Sequence, residues 1–348
     1  MRKLNQSGGD GSVNIQGGNV NVGLSYSDAK EICEDIFKAN FFRLSQEAAE
    51  HAKTRAEDLV ENYLTKLQNK NSMLIEHLSD PDLQYHLYIA QRDYARSGDE
   101  KLREILEGLL VERTKEIEKS IKQITLNEAI KVVSKLTNDQ INLLSMHFMF
   151  AESRITTINS FKMLEEKFDK FIKPFVPEKS PTNSETMHLD YCKCANFIPG
   201  NDETVARIMK KAYSGLFQKG FHLNEFVGIF PFTEKELIYK NIVKEHPCVS
   251  SKYIFNTINF DNLPNQLNSH DKTLNLQLKQ FYNNQLMDDE MVELLLKEML
   301  PTYLSHFIEV WNNSSLPHLI LSSVGKVIAL TNIKSKVTLD SEVEDWVY

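Results

Sequence analysis

The feature that most constrains the fold of this chain is an apolar repeat in its first quarter. Apolar side chains recur there every three or four residues, the spacing of one face of an α-helix. The repeat consists of Ile32, Cys33, Ile36, Phe37, Phe41, Leu44, Ala48, Ala52, Ala56, Leu59, Tyr63 and Leu67. No proline or glycine interrupts it, and Ser25 with Asp28 forms a Ser-x-x-Asp capping pattern at its start. The pattern therefore predicts one helix from Ser25 to Asn69, about 60 Å long.

Further helical patterns follow this repeat. Asp80-Pro81 places an N-cap residue before a proline in the first helical turn. Asp99 begins a second long apolar repeat that continues to Ala129, with Ile117, Ile121 and Ile124 on its predicted inner face. Thr137-Asn138-Asp139-Gln140 is a capping box for another helix. The sequence therefore predicts an α-helical bundle with a long first helix over residues 24–174.

The pattern changes after residue 174. Residues 175–184 are rich in proline and serine and are predicted to form a linker. Beyond them, residues 253–258 are predicted to form a strand, and residues 316–332 a buried strand that leads into a helix near Ser323. We therefore expect residues 185–348 to form an α-rich (α+β) domain, in a chain that is mainly α.

Residues 1–23 form a separate Gly/Asn-rich segment. Two short alternations of apolar and polar residues, Val13-Asn14-Ile15 and Val20-Asn21-Val22, predict strands on either side of a Gly17-Gly18 turn. An isolated hairpin of this size is marginal in water, so its apolar face needs cover from elsewhere. Three interpretations remain open: a disordered tail, an edge hairpin on its own chain, and stacking of the same segment from several copies.

The sequence resembles known proteins in two respects. Residues 8–23 resemble the short amyloid-type signalling motifs found next to effector domains in bacterial immune proteins, which implies self-assembly and a setting in phage defence or a related conflict system. Segments across most of the chain are similar to an uncharacterised bacterial family, which implies no activity and no catalytic residue. These segments are GD (98–99), LLVERT (109–114), LNEA (126–129), KLT (135–137), GLFQKGF (215–221) and SVGKVIA (323–329).

Composition excludes several classes of protein. A net charge of −8 argues against general nucleic-acid binding, which depends on neutralising phosphates. No apolar run is long enough for a membrane-spanning helix, and no apolar segment follows Arg2 and Lys3 as it would in a secretory signal. The 4 cysteines are too few for a disulfide framework in a chain of 348 residues. The expected location is therefore the cytoplasm.

One group of residues has the chemistry of a metal site. His188, Cys192, Cys194 and Cys248 carry imidazole and thiolate groups, which suit tetrahedral Zn²⁺. The usual Cys-x2-Cys spacing is absent, so buried free cysteines are the preferred interpretation, and no metal or cofactor is predicted. The alternative function is a metal-dependent hydrolase or nuclease with a site in the C-terminal half.

The sequence favours a non-enzymatic, self-assembling bacterial protein. The N-terminal segment would nucleate assembly and the long helix would align the copies. The partners expected are further copies of the chain and another protein of a defence system. A membrane is expected only in a third interpretation, where residues 32–67 swing out as a helical effector. The predicted oligomerisation residues are Val13, Ile15, Val20, Val22, Ile36, Phe37, Leu44 and Leu59.

Overall fold

The computed structural model describes residues 24–40, 46–155, 158–201, 203–299 and 302–338. Of the predicted oligomerisation residues, Val13, Ile15, Val20, Val22 and Leu44 therefore lie outside the described residues. Contacts between residues group the chain into two compact units. The first unit contains the described residues up to Asp99 together with Leu110–Lys119, and the second contains Glu100–Leu109 and the described residues from Ser120 onward.

The first unit is built from helices that pack side by side. They are α1 (Tyr26–Asn40), α2 (Gln46–Asn71) and α3 (Pro81–Ser97), with a 3-10 segment at Ser72–Ser79 and the last residues of α4 (Glu100–Thr114). Each of α1, α2 and α3 contacts the other two. Their shared faces carry aliphatic and aromatic side chains that are almost fully buried, which accounts for the stability of the unit.

The prediction of a single helix from Ser25 to Asn69 is wrong. The structure has α1 and α2, and the two helices contact each other. Phe37 of α1 lies in one buried cluster with Ala52 and Ala56 of α2, whereas residues 37 and 52 would be about 22 Å apart along a straight helix. Phe37 and Leu59 are buried within the unit, and Ile36 is half-buried. The apolar repeat is thus shared by two helices that cover one core.

The second unit is also mainly helical. After the start of α4, its helices are α5 (Ile121–Val133), α6 (Asn138–His147), α7 (Phe161–Phe171), α8 (Asn183–Tyr191), α9 (Val205–Ala212), α10 (Leu223–Ile229), α11 (Glu234–Tyr239), α12 (Leu263–Gln266), α13 (Lys272–Gln285), α14 (Asp289–Met299), α15 (Thr302–Asn312) and α16 (Ser323–Lys336). Its strands are β1 (Ala195–Phe197), β2 (Val243–Glu245), β3 (Tyr253–Phe255) and β4 (Leu319–Leu321). The mainly α fold class predicted from the sequence is confirmed.

Helix α16 lies at the centre of one core of the second unit. It packs on α5 and α6, and its residues Val327–Ile333 are buried on every face of the helix. Strand β4 leads directly into it and pairs antiparallel with β1, with Ala195 opposite Leu321. The predicted strand and helix around Ser323 are therefore confirmed.

A second core of this unit is rich in phenylalanine. Strands β2 and β3 pair antiparallel, with Val243 opposite Phe255. Strand β3 begins at Tyr253, where the sequence predicts a strand. Aromatic rings pack against this pair from the surrounding helices. The buried rings of this cluster are Phe221, Phe226, Phe230, Phe255 and Tyr282. Their mutual edge and tilted contacts account for a core with little regular sheet around it.

Helix α4 ends earlier than the sequence predicts. The apolar repeat that begins at Asp99 does not continue as one helix to Ala129, because α4 ends at Thr114 and α5 begins at Ile121. Ser120 caps α5, since its Oγ accepts a hydrogen bond of 3.0 Å from the backbone N–H of Gln123. Ile117 and Ile121, expected on an inner face, are 70% and 73% exposed. The prediction of a second long helix is therefore wrong.

Residues 175–184 lie within the second unit. Phe175 is buried, and His306 Nε2 donates a hydrogen bond of 2.8 Å to the carbonyl of Pro177. Thr182 and Glu185 form a capping box that begins α8. The compact units therefore do not divide at this proline-rich stretch. None of the described helices is both long and apolar enough to cross a membrane.

Candidate ligand-binding site

A cavity of about 550 Å³ opens within the second unit. Its walls come from the end of α6 and the residues after it, from α9, from α15, and from the segment around β4. Pockets that bind small molecules usually enclose about 300–1,000 Å³. This cavity is therefore large enough for a small organic ligand.

A π-helical turn shapes the floor of the cavity. Helix α6 ends at His147, and Phe148–Glu152 follow as a π-helix. In an α-helix, side chains five residues apart point roughly 140° away from each other. The wider π turn instead brings Glu152 Oε1 to 3.7 Å from His147 Nδ1. Such turns occur often at functional sites. This one places the titratable side chains of His147 and Glu152 opposite each other.

The imidazole of His147 is held in a single orientation. Its Nε2–H donates a hydrogen bond of 3.1 Å to the carbonyl of Leu319, so Nε2 carries the hydrogen and Nδ1 carries a lone pair in the neutral ring. The ring stacks on Trp311, with centroids 5.2 Å apart. Burial lowers the pKa of His147, and the nearby charge of Glu152 opposes this effect only in part. The neutral ring is therefore favoured.

The carboxylate of Glu152 is fixed from two sides. Oε1 accepts a hydrogen bond of 2.7 Å from the backbone N–H of Leu321, and Oε2 lies 2.9 Å from Lys326 Nζ. The side chain is only 15% exposed. Lys326 balances the negative charge, while Oε1 still faces His147.

The two facing atoms, His147 Nδ1 and Glu152 Oε1, are both hydrogen-bond acceptors. Their separation of 3.7 Å is too long for a direct hydrogen bond. Within the part of the chain that the structure describes, Nδ1 is buried and has no hydrogen-bond partner. His147 Nδ1 and Glu152 Oε1 therefore form an acceptor pair without a donor between them among the described residues, and Nδ1 exposes almost no surface to the cavity.

The outer part of the cavity is held together by polar contacts. Arg154 Nη2 donates a hydrogen bond of 2.5 Å to the carbonyl of Ala212. Lys211 Nζ lies 3.3 Å from the carboxylate of Glu203, whose carbonyl accepts a hydrogen bond of 2.8 Å from Trp311 Nε1. These contacts tie α9 and α15 to the rim. The rim is thus charged, while the floor is aromatic.

The predicted metal residues are only partly brought together. His188 Nε2 lies 3.6 Å from Cys192 Sγ, and Gln140 Nε2 lies 3.0 Å from His188 Nδ1. Gln140 Oε1 also lies 3.3 Å from Nδ1, so the contacts with Gln140 do not fix which ring nitrogen of His188 carries the hydrogen. Burial also raises the pKa of the Cys192 thiol. This arrangement fits a neutral packing contact better than an activated nucleophile.

The other two predicted ligands lie apart from that contact. Cys194 is buried, its pKa is raised to about 12 by burial, and its Sγ faces the carbonyl of Cys192 at 3.8 Å. Cys248 is exposed, with its Sγ 3.6 Å from the sulfur of Met299. Among the described residues, no three His, Cys, Asp or Glu side chains come together as metal ligands would.

No pattern in the sequence predicts the cavity. Its key residues, His147, Glu152, Trp311 and Lys326, belong to different elements and form no local motif. The capping box at residues 137–140 did predict the start of α6, but no short pattern marks the π turn at its end. The cavity forms only when α6, α9 and α15 pack around the segment that contains β4.

The comparison with known protein families concerns almost the whole chain. One protein-family model matches residues 23–347. The chain belongs to this family. The match is consistent with the resemblance to an uncharacterised family, and the family assignment brings no activity to the cavity. No curated protein matches the chain, and no solved structure does.

The family model matches the residues of the cavity but not the predicted assembly segment. Every residue named in the cavity lies within the matched region, whereas the Val/Asn alternation of residues 13–22 lies before it. The family model therefore covers the helical body and not the predicted assembly segment.

Proposed function

We propose that this chain is a non-enzymatic protein that self-associates through residues 12–22 and carries a binding surface on its helical body. One observation carries the proposal: Val13 with Ile15, and Val20 with Val22, alternate with polar residues around a Gly-Gly turn, ahead of the region that the family model matches. A segment outside the matched body fits a separable assembly module.

The energetics of such a segment support assembly. A two-stranded hairpin with so few aliphatic side chains is marginal in water. When identical segments stack, each backbone pairs with the next copy, and asparagine and glutamine side chains form ladders along the stack. Asn14, Gln16, Asn19 and Asn21 provide such side chains beside the aliphatic ones. Association supplies the apolar cover that a single segment lacks.

Two of the predicted oligomerisation residues are buried and are therefore not part of the proposed interface. Phe37 and Leu59 are buried within the first unit, so their side chains are not available to another copy. Ile36 is half-buried on α1 and stays in the proposed interface with Leu44 and the N-terminal segment. The proposal therefore places the main contact on residues 12–22.

The setting we propose is antiviral defence or a related conflict system in the bacterial cytoplasm, with another protein of that system as a second partner. The support is the resemblance of residues 8–23 to amyloid-type signalling motifs. The alternative of a metal-dependent hydrolase or nuclease has less support, because no metal-type cluster occurs among the described residues.

Matched substitutions within the segment test the proposal. In one variant, Val13, Val20 and Val22 become threonine, which keeps the side-chain shape and the strand preference but adds a hydroxyl group. In the control variant the same positions become isoleucine, which keeps the face apolar. We expect the threonine variant to have a lower mass by light scattering than the wild type at equal concentration, and the isoleucine variant to match the wild type. Equal masses for the threonine variant and the wild type would contradict the proposal.

A further inference from the structure

We propose that residues 339–348 of this chain bind to a basic surface of the second unit. That surface consists of Lys167 and Lys170 of α7 and Lys336 of α16, and we call it the lysine surface. Residues 339–348 lie outside the described residues and follow Thr338 in the chain. The proposal is independent of self-association, because it uses neither residues 12–22 nor the first unit.

The segment and the helix before it carry opposite charges. Residues 339–348 read LDSEVEDWVY, with 4 acidic side chains, no lysine or arginine, and the aromatic residues Trp346 and Tyr348. Helix α16 carries 3 lysines and no acidic residue. Because the acidic segment is joined to the basic helix, its local concentration there is high, on the order of millimolar. Weak contacts are therefore enough to hold it.

Lys336 is a positive charge without a carboxylate beside it. Its Nζ donates a hydrogen bond of 2.8 Å to Asn142 Oδ1 and lies 4.9 Å from the centre of the Phe175 ring. No carboxylate of the described residues lies within ion-pair distance of this Nζ. Partial desolvation lowers the pKa of Lys336, and the positive charge of Lys101 lowers it further than Glu104 raises it. A negative charge brought close to Lys336 would therefore be stabilised.

Helix α7 supplies the other two lysines. Lys167 Nζ lies 5.7 Å and Lys170 Nζ 4.9 Å from the centre of the Phe171 ring. In the described part of the chain, neither lysine forms an ion pair. Lys173 is not included in the surface, because its Nζ already lies 2.9 Å from the carboxylate of Asp169. Together, α7 and Lys173 carry 4 lysines and 3 acidic residues, a positive excess in a chain whose net charge is −8.

The segment is long enough to reach all three lysines. Phe175, beside Lys336, and Phe171, beside the α7 lysines, are four residues apart in consecutive helical turns, about 6–8 Å along the axis. Trp346 is eight residues beyond Thr338, and an extended chain of that length spans up to about 28 Å. The acidic side chains can therefore lie near Lys336 while the indole of Trp346 reaches the ammonium groups beside Phe171. Among aromatic side chains, an indole makes the strongest cation–π contact with an ammonium group.

Lysines beside aromatic rings also occur in sites that bind single-stranded nucleic acid. Two observations favour the acidic segment instead. The ring of Phe175 is buried and that of Phe171 is half-buried, so neither offers an open face on which a base could stack. The net charge of −8 also opposes the approach of a long polyanion. We therefore assign the lysine surface to residues 339–348.

Acrylamide quenching of Trp346 fluorescence in the full chain tests the inference. The chain has 2 tryptophans, and Trp311 is fully buried, so quenching by this neutral molecule reports mainly on Trp346. A chain with Trp346→Phe measures the contribution of Trp311, which is subtracted. We expect the quenching constant of Trp346 to be roughly fivefold lower in the full chain than in a synthetic peptide of residues 339–348, as several ion pairs acting together would give. High salt should remove most of this difference, because the contacts are close to solvent.

Matched variants locate the binding. Combining Lys167→Gln, Lys170→Gln and Lys336→Gln should raise the quenching of Trp346 nearly to that of the peptide. The control replaces three exposed lysines elsewhere in the second unit and should behave like the wild type; its changes are Lys219→Gln, Lys235→Gln and Lys272→Gln. A third variant leaves the described residues untouched and replaces the acidic side chains of the segment by amides. It should match the lysine-surface variant, and it decides the question even if that variant does not fold.

Three results would overturn the inference. Equal quenching of Trp346 in the wild type and in the peptide would show that the segment does not bind. Equal quenching in the lysine-surface variant and its control would show that the segment binds elsewhere. Protection that disappears on dilution would show that the segment binds to another copy and not to its own chain.

Discussion

At the scale of single residues, the orientation of His147 has an energetic cost. Its Nδ1 lone pair is buried opposite the carboxylate of Glu152, and no described residue donates a hydrogen bond to it. Buried polar atoms in native proteins are nearly always paired, so an exception calls for an explanation. The unpaired Nδ1 therefore makes the protonation of His147 a determinant of stability.

The neutral state of His147 leads to a prediction about pH. Burial lowers the pKa of the folded histidine below its ordinary value of 6.5. As the pH falls through 6.5, the unfolded chain therefore takes up a proton that the folded chain does not, and the free energy of unfolding decreases. We expect urea unfolding at about pH 7.5 and about pH 5.5 to show a smaller decrease for His147→Phe than for the wild type.

The comparison between the two proteins isolates His147 from other titrating groups. His246 also has a pKa lowered by burial, but it contributes equally to the wild type and the variant. An identical loss of stability in both proteins would mean that the pKa of His147 is the same in the folded and the unfolded chain, and would contradict the prediction. A smaller loss in the wild type than in the variant would mean that the folded chain holds His147 charged beside Glu152.

Helix caps were predicted correctly from the sequence because their chemistry is local. Ser25 caps α1 by accepting a hydrogen bond of 3.2 Å from the backbone N–H of Asp28, and Asp80 caps α3, as predicted. Thr137 and Gln140 form the predicted capping box. A cap depends on residues within one turn, whereas His147 and the segment around Lys326 meet only through tertiary packing. The cavity therefore could not be predicted in the same way.

At the scale of elements, α16 depends on a close approach at Gly325. A Cβ atom added there would lie 1.9 Å from the carbonyl oxygen of Cys194. The backbone N–H of Ser322 donates a hydrogen bond of 3.0 Å to this same carbonyl, so the oxygen cannot move freely. Because Gly325 has no side chain, the start of α16 can lie directly against the backbone of Cys194, which lies between α8 and β1.

Substitution at this glycine gives a prediction about stability. Gly325→Ala should destabilise the chain by about 1–3 kcal/mol or more, because backbone must shift to admit the methyl group. Chemical denaturation measures the change. Gly228→Ala is the control, since a Cβ atom at Gly228 in α10 meets nothing within 4 Å. It should be neutral or stabilising by up to about 1 kcal/mol. Equal destabilisation by the two changes would contradict this account of α16.

The lengths of helices were predicted less well than their presence. An apolar residue every three or four positions looks the same in one long helix and in two helices that cover the same core. The break after α1 and the break before α5 contain no proline or glycine to mark them. In contrast, the strand and helix around Ser323 were predicted correctly, because residues 316–332 form an apolar stretch and both elements are buried.

At the scale of the whole molecule, the mainly α fold class followed from the sequence because most apolar residues repeat with helical spacing. The division of the chain into compact units could not be predicted in this way. Residues 100–109 group with the second unit although they lie between two parts of the first. The unit to which a segment belongs depends on contacts between residues distant in the sequence. A proline-rich stretch therefore does not predict where the units divide.

At this scale the N-terminal segment is proposed to join copies of the chain. The most direct test is the molar mass in solution, measured by light scattering over a series of concentrations for the full chain and for a chain that begins at residue 24. We expect the full chain to form species larger than one copy, increasingly so with concentration, and removal of residues 1–23 to lower the number of copies per particle. The same number of copies per particle for the two chains at every concentration would show that the segment does not join copies.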